Sequence, residues 1–299
     1  MESAVPVVLN AASYVSILLL IALGLAIVFG MMDIVNLAHG EFVTIGAYTL
    51  SYAERMGGGE AWPAGYWIGL VTAPVVGAAF GFVVEIAVIR PLRHRPLDAL
   101  LATFALSLIL QKLISIGFGA QPQIVFAPIG GVISILGAHY PSYRLFMIAV
   151  SIALTSGCLL LFARTRFGTD LRAVIQDVAM AEALGINSKR LGRIAFTGGA
   201  ALAAFAGALV APLASVEAHL GLFYLGKAFF VIVLGGIGSI LGCVVGAAAV
   251  GTSETLLNYL FDPSFASAAV LTLAIVVIRL RPRGLVPGFS AAHHLFGKE

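Results

Sequence analysis

An all-α bundle of membrane-crossing helices is the fold class this sequence predicts, and three observations predict it. Hydrophobic residues make up 60% of the 299 positions and charged residues only 10%, whereas a soluble domain carries about 25% charged residues. Apolar runs recur along the chain at ~18 residues or more, the length a helix needs to cross a hydrocarbon core of ~30 Å. Basic residues gather in the segments between those runs, which is how membrane proteins mark their cytoplasmic side. The reading is a single transmembrane domain over 1–299, with about 8–9 membrane segments that include two broken or re-entrant hairpins.

Taken in order, the spans are 7–30, 41–54, 64–89, 98–118, 143–163, 194–216, 226–252 and 265–280. The first follows MESAVPVVLN, which lacks the basic region of a cleavable signal peptide, so it is expected to be retained. The third carries Gly77 and Gly81, and the seventh Gly242 and Gly246, at the spacing that lets helices approach closely. Arg90, Arg93 and Arg95 follow the third span, the island 164–193 follows the fifth, and Arg279, Arg281, Arg283 and Lys298 follow the last. Placing these three segments in the cytoplasm puts the C-terminus there too.

This orientation requires two segments that go in and come back out. The second span has about 14 residues, ~21 Å of helix, too short for the core unless Asn36–Gly40 sits at membrane depth. The stretch 222–253 must also reverse, and Gly235-Gly236-Ile237-Gly238-Ser239 is its natural break. Paired broken segments in the two halves of a chain point to a transporter's substrate path. Asn36, His39, Gly40, Glu41, Gly235, Gly236 and Gly238 are therefore the candidate pathway or gate residues. Polar side chains there, Asp33 included, must face protein or water. A structural role is open beside the functional one: Asn36 or His39 satisfying free backbone groups, and Glu41 suiting a helix N-terminus. Glu85, Lys112, Lys227 and Glu254 lie near span ends and read as snorkelling side chains or as ordinary interface placements.

The island 164–193 holds six of the chain's 17 Lys and Arg, with Asp170, Asp177 and Glu182. Thr169-Asp170 can start a helix, and Leu171, Val174, Ile175 and Val178 make one apolar stripe. Arg172, Gln176 and Asp177 fall off it, and Gly185 is placed as the stop. The spacing predicts a short amphipathic helix over about 170–184, suited to a groove on another protein or serving as a solvated connector.

Enzymatic and metal chemistry find no footing. Cys158 and Cys243 lie in apolar segments without ligand spacing and read as buried thiols. His39 and Glu41 lack an H-E-x-x-H partner, and His94, His139, His219, His293 and His294 fall in loops or the tail. No G-x-S-x-G elbow is present. No G-x-x-x-x-G-K-[ST] loop occurs, so any ATP that drives this chain is bound by another. The net charge of +3 belongs to membrane-flanking loops and suggests no nucleic acid.

Five stretches carry a family resemblance: GLAIVFGMMDIVNLAHGEFVTIGAY (24–48), RPLR (90–93), LRAVIQDVAMAEALGIN (171–187), KAFFVIVLGGIGSILGCVVGA (227–247) and RPRGL (281–285). In these the chain resembles membrane permeases of branched-chain amino-acid ABC importers of the high-affinity leucine/isoleucine/valine type, the first permease subunit above all. The resemblance implies a bacterial inner-membrane protein pairing with a second, related permease as a heterodimer. It implies two cytoplasmic ATPase subunits that carry ATP and Mg, a periplasmic substrate-binding protein, and no cofactor in this chain. It places ATPase coupling on the 170–187 loop, at Arg172, Asp177, Glu182 and Gly185. Permeases for urea, short amides or aromatic acids share much of the pattern, and the 181–187 run leans to the amino-acid branch. The rival from another class is an ion- or proton-coupled secondary transporter using Asp33, His39 and Glu41.

Overall fold

The computed structural model describes residues 4–32, 36–57, 64–93, 95–135, 138–280 and 284–286. Helices dominate: α1 (Ala4–Met32), α2 (His39–Met56), α3 (Ala64–Val84), α4 (Pro96–Phe118), α5 (Ser142–Arg164), α6 (Arg166–Gln176), α7 (Val178–Ala183), α8 (Ser188–Val210), α9 (Leu220–Gly235), α10 (Ile240–Leu260) and α11 (Pro263–Leu280). Among the described residues six helices are long and apolar enough to cross a membrane, namely α1, α3 with the turn that follows it, α4, α5, α8 and α10. α9 and part of α11 are shorter apolar helices. Asp33, His94, His293, His294, Arg281, Arg283 and Lys298 lie outside the described residues.

The chain divides into two compact units. One comprises residues 27–128 and 187–226, and its heart is the mutual packing of α2, α3 and α8. Small residues make that packing close. A methyl group added at Gly77 would come 2.4 Å from Ala204 Cβ, and one at Gly81 would come 2.5 Å from Ala200 Cβ. The i, i+4 glycines of α3 thus face i, i+4 alanines of α8, with van der Waals contact replacing the hydrophobic drive that lipid removes. α3 continues as a π-helical turn, Glu85–Ile89. Glu85 is buried there and pairs with Arg193 of α8 at 3.3 Å, while the Arg193 guanidinium lies 5.8 Å from the centre of the Phe82 ring.

The other unit comprises residues 1–26, 129–186 and 227–299. It contains one antiparallel hairpin, β1 (Val132–Ile135) and β2 (Ala138–Pro141), with Val132 opposite Pro141 and Ile135 opposite Ala138. The all-helical reading had no place for it. β2 is tied to α1: Tyr140 donates to the Leu9 carbonyl and shares a hydrogen bond with Ser13, both at 2.8 Å, while Arg144 donates to Asn10 Oδ1. Lys227 of α9 pairs with Glu254 of α10 and donates to the Tyr14 hydroxyl at 2.6 Å.

Four sequence expectations are corrected. Glu85, Lys227 and Glu254 do not snorkel but pair inside the protein, because a charge short of the interface is cheaper paired than solvated by lipid; Lys112 is exposed. α2 has 18 residues rather than about 14, giving ~27 Å of helix; its polar residues are buried against protein, so hydropathy hid its ends. The run 194–216 is α8, starting at Ser188 because Asn187 accepts from the Arg190 N–H at 2.9 Å and caps it. His139 lies in β2 rather than a loop.

Candidate functional site

Two sets of residues singled out by sequence lie in α2 and its approach, or in the α6–α7 segment; a third flanks the α9–α10 break. They are described separately.

The chain reaches α2 through a tight turn. Asn36 Oδ1 accepts from the Ala38 N–H at 3.0 Å, the side-chain turn that asparagine forms readily. The His39 N–H returns to the Asn36 carbonyl, and the Leu37 N–H is held by Thr103 Oγ1 of α4 at 3.3 Å. Through Oδ1, Asn36 satisfies a free backbone group, as the sequence reading allowed. Glu41 does not cap α2. Its Oε1 accepts from Ser107 Oγ at 2.7 Å and from Gln111 Nε2 at 2.8 Å, both on α4, and those two side chains bond each other at 3.1 Å. Ser107 and Gln111 were missed by sequence reading. Their i, i+4 spacing puts both on one face of an otherwise apolar helix, and that was the available signal.

This cluster is closed. Asn36 is 2% exposed, Glu41 1% and His39 is fully buried. His39 packs edge-on to Phe42 with ring centres 5.9 Å apart, and Phe42 in turn contacts Phe80 and Phe196. Gly40 meets Gly221 so closely that a methyl group on Gly40 would lie 2.5 Å from the Gly221 carbonyl oxygen. The Gly221 N–H donates to Thr44 Oγ1 at 2.9 Å. Two polar atoms in the cluster have no hydrogen-bond partner among the described residues, Asn36 Nδ2 and Glu41 Oε2. The arrangement can offer one buried donor and one buried acceptor.

Gly235, Gly236 and Gly238 belong to the other unit. α9 ends at Gly235, Gly236 and Gly238 take φ of +113° and +77°, and Ser239 caps α10 by accepting from the Gly242 N–H at 2.9 Å. After α11 the chain returns to this break. The Leu285 and Val286 N–H groups donate to the carbonyls of Leu234 and Gly235 at 2.8 and 2.9 Å.

The island is two helices rather than one. Thr165 caps α6, four residues earlier than the expected start at Thr169, and Asp177 caps α7 by accepting from the Met180 N–H at 3.0 Å. The extended backbone at Asp177 ends α6 and begins α7. α6 is fixed to the end of α5: Leu171 and Val174 are buried, Gly168 lies against the Phe162 backbone, and Arg172 donates to the Phe162 carbonyl. Val178, expected on the buried stripe, is instead exposed, with Met180 at 60% and Leu184 at 73%. Glu182 is exposed beside them. Gly185, at φ +84°, stops α7 as expected: its N–H bonds the Glu182 carbonyl and the Ile186 N–H bonds the Ala181 carbonyl. Among the described residues no group of His, Cys, Asp and Glu could hold a metal ion. Cys243 is buried and Cys158 half-buried.

Comparison with known proteins gives the chain a family. The family described as branched-chain amino acid transport system / permease component matches residues 7–280. The chain is 31% identical over 279 residues to the high-affinity branched-chain amino acid transport system permease protein LivH of Salmonella typhimurium, covering 89% of this chain and 90% of that protein. It is 30% identical over 277 residues to BraD, of the same description, from Pseudomonas aeruginosa, with the same coverage. Identity to LivM of Escherichia coli is 27% over 302 residues, covering 92% of this chain and 69% of that protein. No solved structure matches the chain. It is a multi-pass membrane protein and belongs to the permease-component family of branched-chain amino acid transport systems.

Proposed function

We propose that this chain is a membrane permease subunit of an ATP-driven importer and moves branched-chain amino acids by alternating access. Supporting the substrate class are the names of LivH and BraD, which match across nearly their full length. The similarity to LivM as well as LivH supports a second, related permease as its partner. Two ATPase subunits carrying ATP and Mg and a periplasmic binding protein complete the importer, in a bacterial inner membrane with the C-terminus cytoplasmic. The crossings number eight or nine, with α1–α2 and α9–α10 as the two broken hairpins. Asn36, His39, Gly40 and Glu41 in one, and Gly235, Gly236 and Gly238 in the other, belong to the substrate path or its gate.

The observation that carries the mechanism is the α6–α7 segment. α7 turns Val178, Met180 and Leu184 outward, an apolar face with a reason to be covered. α6 beneath it is bonded to α5 through Arg172 and Phe162. An ATPase gripping α7, with Glu182 on its rim and Asp177 and Gly185 fixing its ends, moves α5 as a lever. Arg172 then serves coupling by holding α6 to α5. The chain forms no covalent intermediate; it converts a push on α7 into helix movement. The test is reconstitution in liposomes: leucine uptake should need the ATPases and ATP. Uptake by this chain alone, driven by a proton gradient without ATP, overturns the proposal.

A further inference from the structure

Burying a polar atom without a hydrogen bond is costly, and more so at membrane depth. The α2 approach buries two such atoms of opposite character, the acceptor Glu41 Oε2 and the donor Asn36 Nδ2. The oxygen beside each of them is engaged, Glu41 Oε1 by α4 and Asn36 Oδ1 by the turn. Glu41 Oε1 takes two hydrogen bonds from α4, which fix the carboxylate and leave its second oxygen open. Asn36 Oδ1 is committed to the turn, which fixes its amide and leaves the nitrogen open. A side chain serving only the fold has no need of an open, oriented second atom.

We propose that Glu41 Oε2 and Asn36 Nδ2 recognise the zwitterionic head group of an α-amino acid, the carboxylate taking its ammonium and the amide donating to its carboxylate. This rests on the amino-acid reading above. Ser107 and Gln111 are positioning residues that hold the Glu41 carboxylate in register. The start of α2 adds a partial positive charge favourable to a ligand carboxylate. Hydrogen bonds to ionised groups are the strong ones, and a site built around a polar group rejects a ligand that lacks it. The side chain of the amino acid is left to apolar neighbours such as Phe42. In this structure the site is shut by the contact of Gly40 with Gly221, so the ligand enters when α2 and the start of α9 separate.

The test uses the permease pair with its ATPases in lipid nanodiscs, after ATP-dependent leucine uptake has been measured for the whole importer in liposomes. Equilibrium binding is measured for labelled leucine, for 4-methylpentanoate, which lacks the ammonium, and for 3-methylbutylamine, which lacks the carboxylate. The wild type should prefer leucine to 4-methylpentanoate by about tenfold or more. Glu41→Gln should abolish that preference, weakening leucine about tenfold and sparing 4-methylpentanoate. Asn36→Ala should weaken leucine and 4-methylpentanoate and spare 3-methylbutylamine. Ser107→Ala, which keeps the carboxylate, reads the same ratio if Glu41→Gln does not assemble, and should lower it several-fold. The proposal is overturned if the wild type transports leucine but shows no preference, or if the variants that assemble leave the ligand ratios unchanged. Absence of ATP-dependent leucine uptake by the wild-type importer would instead overturn the parent reading.

Discussion

Single residues in this chain carry interactions that hydropathy cannot see. Lys227 and Glu254 are 27 positions apart and pair inside one unit, with Tyr14 as a third member. Removing one partner strands a buried charge, whereas replacing both with apolar residues does not. Lys227→Met is therefore expected to destabilise the protein by ~3–5 kcal/mol, and Lys227→Met with Glu254→Leu to recover most of it; thermal unfolding in detergent of the two variants reads the difference. Asp177 gives a smaller and more local effect. Its carboxylate caps α7, so Asp177→Ala should cost ~1 kcal/mol and Asp177→Ser much less. Amide exchange in 178–184 should quicken in the alanine variant alone, with ATP hydrolysis less coupled to uptake.

At the scale of elements, small residues decide how near helices come. Gly40 on α2 and Gly221 on α9 touch backbone to backbone, and Gly221→Val should force them apart. Overpacking of this kind costs ~1–3 kcal/mol. Lowered melting temperature is the expected reading, while Gly198→Ala, with open space around it, should be neutral or stabilising. Much of this scale was legible beforehand. The long apolar runs became α1, α3, α4, α5 and α8, and the glycines at 235–238 mark the α9–α10 break. What failed had physical causes. The α6–α7 split depends on Asp177 choosing a cap over a helix interior, which periodicity across 170–184 smooths away. The Glu85–Arg193 pair spans 108 residues, and no local pattern announces a partner that far off. Glu41 was flagged by its cost in the membrane, but its donors Ser107 and Gln111 became visible only when α4 was laid beside α2.

For the whole molecule, the arrangement of basic segments makes a claim that labelling can check. With the island in the cytoplasm, Arg190→Cys should react with an impermeant maleimide only from the cytoplasmic side, and Ile133→Cys, in β1, only from the periplasmic side. Reaction of both from one side would reverse or collapse the proposed topology. Fold class and family were both within reach of the sequence because composition and five ordered motifs span the chain. The β1–β2 hairpin was not, since 132–141 is too short and mixed to stand out between two long apolar runs.

The return of the chain to the α9–α10 break has a consequence for how the protein is made. The last carbonyls of a helix have no partners within it, and here those of Leu234 and Gly235 are met by Leu285 and Val286. Synthesis runs from the N-terminus, so α9, α10 and α11 are all polymerised before the residues that seal α9. The α9–α10 hairpin is completed only once Leu285 and Val286 have been added. Until then its open end offers two acceptors to any chaperone, insertase or neighbouring strand that arrives first.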